Sequence, residues 1–250
     1  MTLFGRAFAD GDKLDLDGAV VRLKVNPRAR RISIRLDRKT GEIVAVSPTA
    51  RRLAEAVAFA RSRDQWIAQH LADRPQAQAL TAGMMIEVFG APVALAATSG
   101  RARWLESDDA APARIVAMGQ GEGFTRAVIR QIRKRALVVL TDRTVDYAAR
   151  LGAATPQVAV TDTHSRWGSC TPARAGTAPA IRYSWRLALA PFVVADYVAA
   201  HECAHLIEPN HGPRFWAQVQ ALVGDHRPHR AWLRANGARL HAFGRVSRID

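Results

Sequence analysis

The sequence predicts an α+β fold, with a β-rich N-terminal part followed by a mainly helical C-terminal part. The first part contains short segments in which apolar and polar residues alternate, as they do in half-buried strands. The second part repeats apolar residues at helical intervals. The 250 residues can form one integrated domain or two smaller ones. We place a domain boundary after residue 122, which separates a β-rich region with one helix, 1–122, from a helical region, 123–250.

Three alternating segments lie near the start of the chain: AVVRLKV (19–25), RISIRL (31–36) and EIVAVS (42–47). The residues DRKTG (37–41) are typical of a turn, so the last two segments predict a β-hairpin with the first strand alongside. Apolar residues recur at helical spacing over 50–72, which predicts a helix there.

The middle of the chain begins with a predicted linker or loop over residues 73–83, DRPQAQALTAG, because proline and glycine interrupt regular structure there. Short strands are predicted beyond it at 84–89, 92–97 and 113–118. A long helix is predicted over 125–151, where apolar residues repeat along one side.

The last third of the chain begins with two predicted strands, 157–162 and 179–187, joined by a loop. From Pro191 the pattern becomes helical to about residue 207. Further short helices are predicted over 213–223 and 228–236.

The composition indicates a protein of the cytoplasm. Two cysteines, Cys170 and Cys203, make no disulfide framework and fit a reducing compartment. The N-terminal residues lack the apolar core of a signal peptide. The most apolar stretch, Leu187 to Ile207, contains charged residues and is a poor membrane span. We therefore expect a cytoplasmic protein without a membrane segment.

The net charge of +14 comes mainly from arginine. It is explained either by a solvated arginine-rich surface or by binding to nucleic acid or another polyanion. Arg130, Arg133 and Lys134 fall near one face of the predicted helix over 125–151, together with Arg126. The first three are candidate nucleic-acid-binding residues, although no aromatic residues alternate with them as in sites that stack bases.

The stretch HECAHLIEPNH (201–211) contains the pattern HExxH. His201 and His205 are four residues apart in a predicted helix, so their side chains point the same way, as two ligands of one ion must. Glu202 lies next to the first histidine and is a candidate general base that accepts a proton from water. The stretch therefore predicts a metal site with a catalytic carboxylate.

A third ligand is predicted at His211. The helix should end before Glu208, because this residue precedes Pro209 and is biased out of helical geometry. No glutamate follows Glu208, which excludes a glutamate ligand on a later helix. The reserve ligands are Asp225, His226 and His229. Three protein ligands leave a fourth position for water, as one catalytic Zn²⁺ ion requires. The spacing from His201 to His211 equals that of the metzincin pattern, with Glu208 in place of the usual glycine.

Three segments resemble the YgjP-like metallopeptidase domain family, which is related to the SprT-like and WLM proteases: RWGSC (166–170), YSWRL (183–187) and DYVAAHECAHLIEPNHGPRFW (196–216). The hairpin over 31–48 and the helix ending in QWI (65–67) are similar to the N-terminal part of that family. The resemblance covers most of the chain.

The resemblance implies a compact zincin-like metallopeptidase domain, which we place at 123–250, in which His201, His205 and His211 hold zinc and Glu202 is the catalytic base. Cys203 stands where the family usually has leucine. It is turned by about 100° or more from both helical histidines, so we interpret it as a packing residue.

The loop and strand before the HExxH helix supply further candidates. His164, Arg166 and Arg182 are candidate substrate-binding residues, and the first two could stabilise an oxyanion. By analogy with zincin edge strands, we expect the strand near Ile181 to Leu187 to pair with an extended substrate.

The leading hypothesis is a zinc-dependent metallopeptidase that acts on a peptide or protein. One alternative keeps the metal and the base but hydrolyses the phosphoanhydride of a nucleotide, as a pyrophosphatase does. The other is a DNA-associated protease or binding protein that the basic surface recruits to nucleic acid. The sequence gives no indication of the oligomeric state.

Overall fold

A computed structural model describes residues 8–16, 19–37, 42–72 (for 70–72 the backbone alone), 80–163, 165–174 and 176–244. Contacts divide the chain into two compact units, Met1–Pro75 and Gln76–Asp250. The fold is mixed α+β, with a β-rich N-terminal part and a helical C-terminal region, as the sequence predicts. The domain boundary placed after residue 122 falls inside the second unit and stays a prediction.

The first unit combines four strands with two helices: β1 (Lys13–Leu16), β2 (Ala19–Val25), β3 (Ser33–Leu36), β4 (Ile43–Ser47), α1 (Leu53–Arg61) and α2 (Asp64–Ala72). The strand order is β1-β2-β4-β3. Strands β2 and β4 are parallel, and the other pairs are antiparallel. The predicted hairpin is confirmed by the β3–β4 pair, and β2 lies alongside β4.

The core of the first unit lies between the sheet and helix α1. Leu23 and Ile43 of the sheet are fully buried, as are Leu53 and Ala56 of α1. The single helix predicted over 50–72 is interrupted after α1. There the Ser62 hydroxyl donates a hydrogen bond to the Phe59 carbonyl (2.8 Å) and competes with the helical backbone bonds. Of the predicted linker, residues 73–79 lie outside the described residues.

The second unit contains seven strands and four helices in its described part: β5 (Met85–Val88), β6 (Ala91–Ala97), β7 (Arg103–Leu105), β8 (Ala113–Ala117), α3 (Gly121–Arg150), β9 (Gln157–Thr161), β10 (Gly168–Thr171), β11 (Ala180–Ser184), α4 (Phe192–Ala204), α5 (Pro213–Val223) and α6 (Arg227–Ala242). The strands form two sheets, with the orders β5-β6-β8-β7 and β10-β11-β9. Strand β11 therefore has a neighbour on each side.

The structure differs from the sequence prediction at three places in the second unit. Strands β7 and β10 lie where no strand was predicted. The strand predicted over 179–187 ends at Ser184, because the chain continues as a short 3-10 helix, Trp185–Leu189. The core packs long helix α3 against β8, β9 and helix α4.

Helix α4 is the central element of the second unit, with contacts to α3, α5, α6 and β10. Most of its residues are buried. Asp196 anchors it to α3 by accepting hydrogen bonds from the Arg143 guanidinium (2.6 Å) and from the Tyr147 hydroxyl (2.8 Å). Within the described ranges, no helix combines the length and apolarity that a membrane crossing requires.

Candidate metal centre

The C-terminal end of helix α4 carries the first two histidines. His201 lies in the last turn of the helix, and His205 is its C-cap with right-handed helical backbone angles. The Glu208 amide donates to the Ala204 carbonyl at 2.9 Å, so helical hydrogen bonding continues past His205. The two side chains consequently keep the one-turn relation that the sequence spacing predicts.

The chain then turns and brings back the third histidine. Helix α5 starts at Pro213, directly after the turn. The Nε2 atom of His211 lies 3.1 Å from Nε2 of His205 and 3.1 Å from Nε2 of His201. We call these three residues the histidine triad; their ligand atoms all lie within 4.8 Å of one another.

The spacing of the histidine triad suits one metal ion. With metal–nitrogen bonds of about 2.0–2.1 Å and tetrahedral angles, two ligand nitrogens lie about 3.3 Å apart. Three imidazole nitrogens are donors that transition metals such as zinc accept. The triad can therefore hold a metal ion without rearrangement of its side chains.

Two rings of the histidine triad, those of His201 and His205, are held in the neutral state that binds metal. The Nδ1 atom of His205 lies 3.0 Å from the Glu208 carbonyl. A carbonyl only accepts, so Nδ1 carries the proton and the Nε2 lone pair faces the other rings. Burial lowers the pKa of His201 to about 3, and the neighbouring His205 and His211 act in the same direction. Burial also lowers the pKa of His205. Both rings are therefore neutral at physiological pH.

An aromatic ring, that of Phe215, packs against all three rings of the histidine triad. Phe215, the third residue of α5, is fully buried. Its ring centroid lies 4.9, 4.5 and 4.7 Å from those of His201, His205 and His211. This ring forms an apolar side of the site, and it packs the start of α5 against the histidines at the end of α4.

Glu202 lies beside the histidine triad in a site of low polarity. It is only 6% exposed. Burial raises the pKa of this carboxyl to about 7, while the positive charge of Arg166 acts to lower it. Strand β10 passes so close that a Cβ atom on Gly168 would lie 2.5 Å from Oε1 of Glu202. A glycine at this position leaves the space that the carboxylate occupies.

A pocket of about 630 Å³ contains both Glu202 and the histidine triad. Among the substrate-binding candidates, Arg166 lines this pocket. Its carbonyl accepts a hydrogen bond from the Thr163 hydroxyl (2.8 Å). Arg182 is exposed on β11 opposite Ser169 and does not line the pocket. His164 lies outside the described residues.

The two cysteines differ in their surroundings. Cys203 is fully buried and its thiol donates to the Thr144 carbonyl (3.7 Å), as expected of a packing residue. Cys170 is a half-buried residue of strand β10 that lines the pocket. Burial raises the pKa of the Cys170 thiol to about 12, with Glu202 acting in the same direction. This thiol therefore stays protonated at neutral pH and is a poor nucleophile.

The reserve ligands have other partners. Asp225 accepts hydrogen bonds from the backbone and the guanidinium of Arg227. The rings of His226 and Trp216 are stacked at 4.4 Å, and the ring of His229 stacks on that of Tyr197 at 5.9 Å. None of the three belongs to the histidine triad.

The basic residues of α3 lie in a different part of the second unit. Arg126, Arg130, Arg133 and Lys134 are exposed and line one groove together with residues 158–160 of strand β9. Side chains that are separated along the helix thus meet on one surface, as the sequence predicts.

The fold and the site define a mixed α+β protein in which three converging histidines, able to hold a metal ion, adjoin a buried carboxylate. A family model for the YgjP-like metallopeptidase domain matches residues 30–236. The chain belongs to this family. Neither the comparison with curated proteins nor the comparison with solved structures yields a match.

The triad geometry predicts the effect of removing one ligand. We expect His211→Ala to lower the affinity for added zinc by more than about 100-fold, because losing even a supporting partner of a ligand costs 10–100-fold. Competition with a chromophoric chelator measures this affinity. His229→Ala is the matched control and should bind zinc as the parent protein does. Equal losses in the two variants would contradict the assigned ligand set.

Proposed function

We propose that the protein is a zinc-dependent metallopeptidase with a zincin-like fold. In this proposal His201, His205 and His211 bind one Zn²⁺ ion, and Glu202 is the catalytic base. The observation that carries the proposal is the shared pocket, in which a buried carboxylate adjoins three converging ring nitrogens. Membership of a metallopeptidase family supports the choice of reaction.

A bound zinc ion supplies the Lewis acidity that polarises a peptide carbonyl and acidifies water. The Glu202 carboxylate accepts a proton from water and passes it to the departing amine. The His205 ring is kept in the correct tautomer by the Glu208 carbonyl. Phe215 excludes water from beneath the ligands, since it is fully buried against all three rings.

We propose that strand β10 aligns the substrate. The sequence assigned this role to the strand near Ile181 to Leu187, but β11 already pairs with β9 on one side and β10 on the other. Among the residues that the structure describes, strand β10 is the last of its sheet, and Gly168, Ser169 and Cys170 line the pocket. An extended peptide can add to this edge through main-chain hydrogen bonds.

The pocket favours a peptide over a phosphoanhydride. Arg166 is the one arginine or lysine among its described lining residues. A nucleoside triphosphate carries several negative charges, and sites that bind it supply a cradle of backbone amides with additional cations. Pyrophosphatase activity therefore remains the alternative reaction at the same centre.

Turnover by Glu202→Gln tests the proposed reaction. We expect this variant to bind zinc normally but to lose about 100-fold or more of its peptidase activity, since general-base catalysis contributes 10²–10⁴-fold. A mixed peptide library and nucleoside triphosphates serve as substrates, with mass spectrometry and phosphate release as readouts. Glu208→Gln is the matched control, because Glu208 contributes only its main-chain carbonyl to the site and the substitution leaves that group unchanged. Triphosphate turnover that depends on Glu202, without peptide cleavage, would select the alternative.

The close approach of strand β10 predicts a second effect on turnover. Gly168→Ala should displace the Glu202 carboxylate and lower activity by about 100-fold, the cost of a misplacement of about 1 Å, while zinc content stays normal. Gly237→Ala is the control, because its added carbon meets Trp167 at an ordinary 3.4 Å.

Shortening the carboxylate side chain separates displacement of Glu202 from a general loss of fold. In a double-mutant cycle, adding Glu202→Asp should make the Gly168→Ala substitution less harmful than it is alone. Additive losses, or an unchanged activity of Gly168→Ala, would refute a positioning effect on Glu202.

We propose recruitment to nucleic acid as a second candidate function, on the strength of the basic groove between α3 and β9. Arg126, Arg130, Arg133 and Lys134 line it, and no acidic residue is among its described lining residues. Its other side chains are aliphatic or alanine, so phosphate contacts rather than base stacking would provide binding.

The salt dependence of DNA binding tests this second function. Replacing Arg130 and Arg133 together with serine should reduce the slope of log affinity against log salt by about 1.8, because each lost phosphate contact contributes about 0.9. The control replaces Arg234 and Arg239, which are exposed on α6 and carry the same total charge. Equal slopes in the two double variants would remove this function from consideration.

A further inference from the structure

The first unit contains a groove between the edge of its sheet and its helices. The groove measures about 550 Å³ and is lined by Arg31, Ile32, Ile34, Phe59, Arg63 and Trp66 among others. We call it the edge groove. We propose that the edge groove binds an extended acidic segment of a partner protein, which adds as a further strand to β3.

The backbone of β3 is available for such pairing. The Asp37 amide donates to the Glu42 carbonyl (2.8 Å) at the end of the β3–β4 ladder. Bonded and non-bonded pairs alternate along an antiparallel ladder. With the observed register, Ile34 and Leu36 therefore direct their N–H and C=O groups away from β4. In the described part of the chain, β3 is the last strand of its sheet, and no strand pairs with that side.

The charge of the edge groove selects an acidic partner. Arg31 and Arg63 are exposed, and no acidic side chain is among the described residues that line the groove. The Arg63 guanidinium lies over the ring of Phe59, 5.3 Å from its centroid. Stacking of this kind limits the rotamers of the arginine and favours charge-assisted hydrogen bonds to a carboxylate.

The apolar part of the groove defines the other requirement for the partner. Ile32, Ile34 and Trp66 are half-buried and pack against the core of the first unit. Alternate residues of an added strand face the same side of the sheet. A segment that places both aliphatic and acidic residues on that side would fill the groove and reach the arginines.

A peptide fits these features better than single-stranded nucleic acid does. The guanidinium of Arg63 already covers the Phe59 ring, so that ring is not an open platform for a base. Alternating N–H and C=O groups at the β3 edge match a peptide backbone, whereas a sugar–phosphate chain has no matching donors. The edge groove contains no residue of the histidine triad, and the proposal extends beyond the peptidase reaction without depending on it.

Fluorescence anisotropy with the full chain tests the edge groove. The probe is a labelled peptide of about ten residues with the repeat Val-Thr-Glu-Thr, which places valine and glutamate in turn on one face of the strand and is long enough to span the 4 residues of β3. Binding is measured in the Glu202→Gln background to prevent cleavage. We expect Arg63→Glu to weaken binding by about ten-fold or more. The control Arg61→Glu alters an exposed arginine of α1 outside the groove and should bind as the background does.

A second variant tests the strand pairing itself. Ile34→Pro removes one N–H from the open edge, where proline is tolerated, and should abolish binding; Ile34→Val should not. Hydrogen exchange should slow at Ile34 and Leu36 when peptide is added. The proposal is wrong if Arg63→Glu leaves peptide affinity unchanged. It is also wrong if the same peptide with lysine in place of glutamate binds equally well, or if an oligothymidine binds through Arg63 while the acidic peptide does not.

Discussion

The site depends on how closely strand β10 approaches helix α4. The two elements pack with no side chain between Gly168 and Glu202, so the carboxylate fills the space that a Cβ atom would take. Asp196 ties the helix to Arg143 and Tyr147 of α3, and these bonds oppose its movement away from β10. Position and burial of Glu202 are thus set by backbone packing, and its altered acidity follows from that burial.

The shifted pKa values of His201 and Glu202 also result from burial by the surrounding elements. Burial disfavours the charged form of every ionisable group, so it lowers the pKa of His201 and raises that of Glu202. Both shifts favour neutral side chains in the absence of a cation. In the proposed function, a divalent ion would reverse this balance by compensating the Glu202 carboxylate and accepting the imidazole lone pairs. Phe215 contributes to the low polarity of the site, because its buried ring packs against all three imidazole rings.

The sequence predicts those parts of the site that depend on local geometry. Four-residue spacing in a helix fixes the relation of His201 to His205, and the Pro209 turn makes the return of His211 foreseeable. The short distance between Gly168 and Glu202 was not predictable, because it joins two elements far apart in the chain. Glycine in a strand often marks close backbone approach, but this signal could not be used at Gly168, because no strand was predicted there. The position of β11 in the middle of its sheet was not predictable either, because strand order depends on pairing between segments far apart in the chain.

The hydrogen bond from His205 to the Glu208 carbonyl does not depend on the side chain at position 208. A main-chain oxygen is present whatever residue occupies the position, so a point mutation at 208 cannot delete the acceptor. Among the described residues other than glycine, Phe89 alone has a positive φ, so Glu208 does not need the backbone freedom of the glycine found in the metzincin spacing. The backbone path of the turn therefore supports the candidate ligand His205, and a substitution of the side chain at 208 leaves that support in place. A sequence motif specifies residue types, so it does not reveal a contact of this kind.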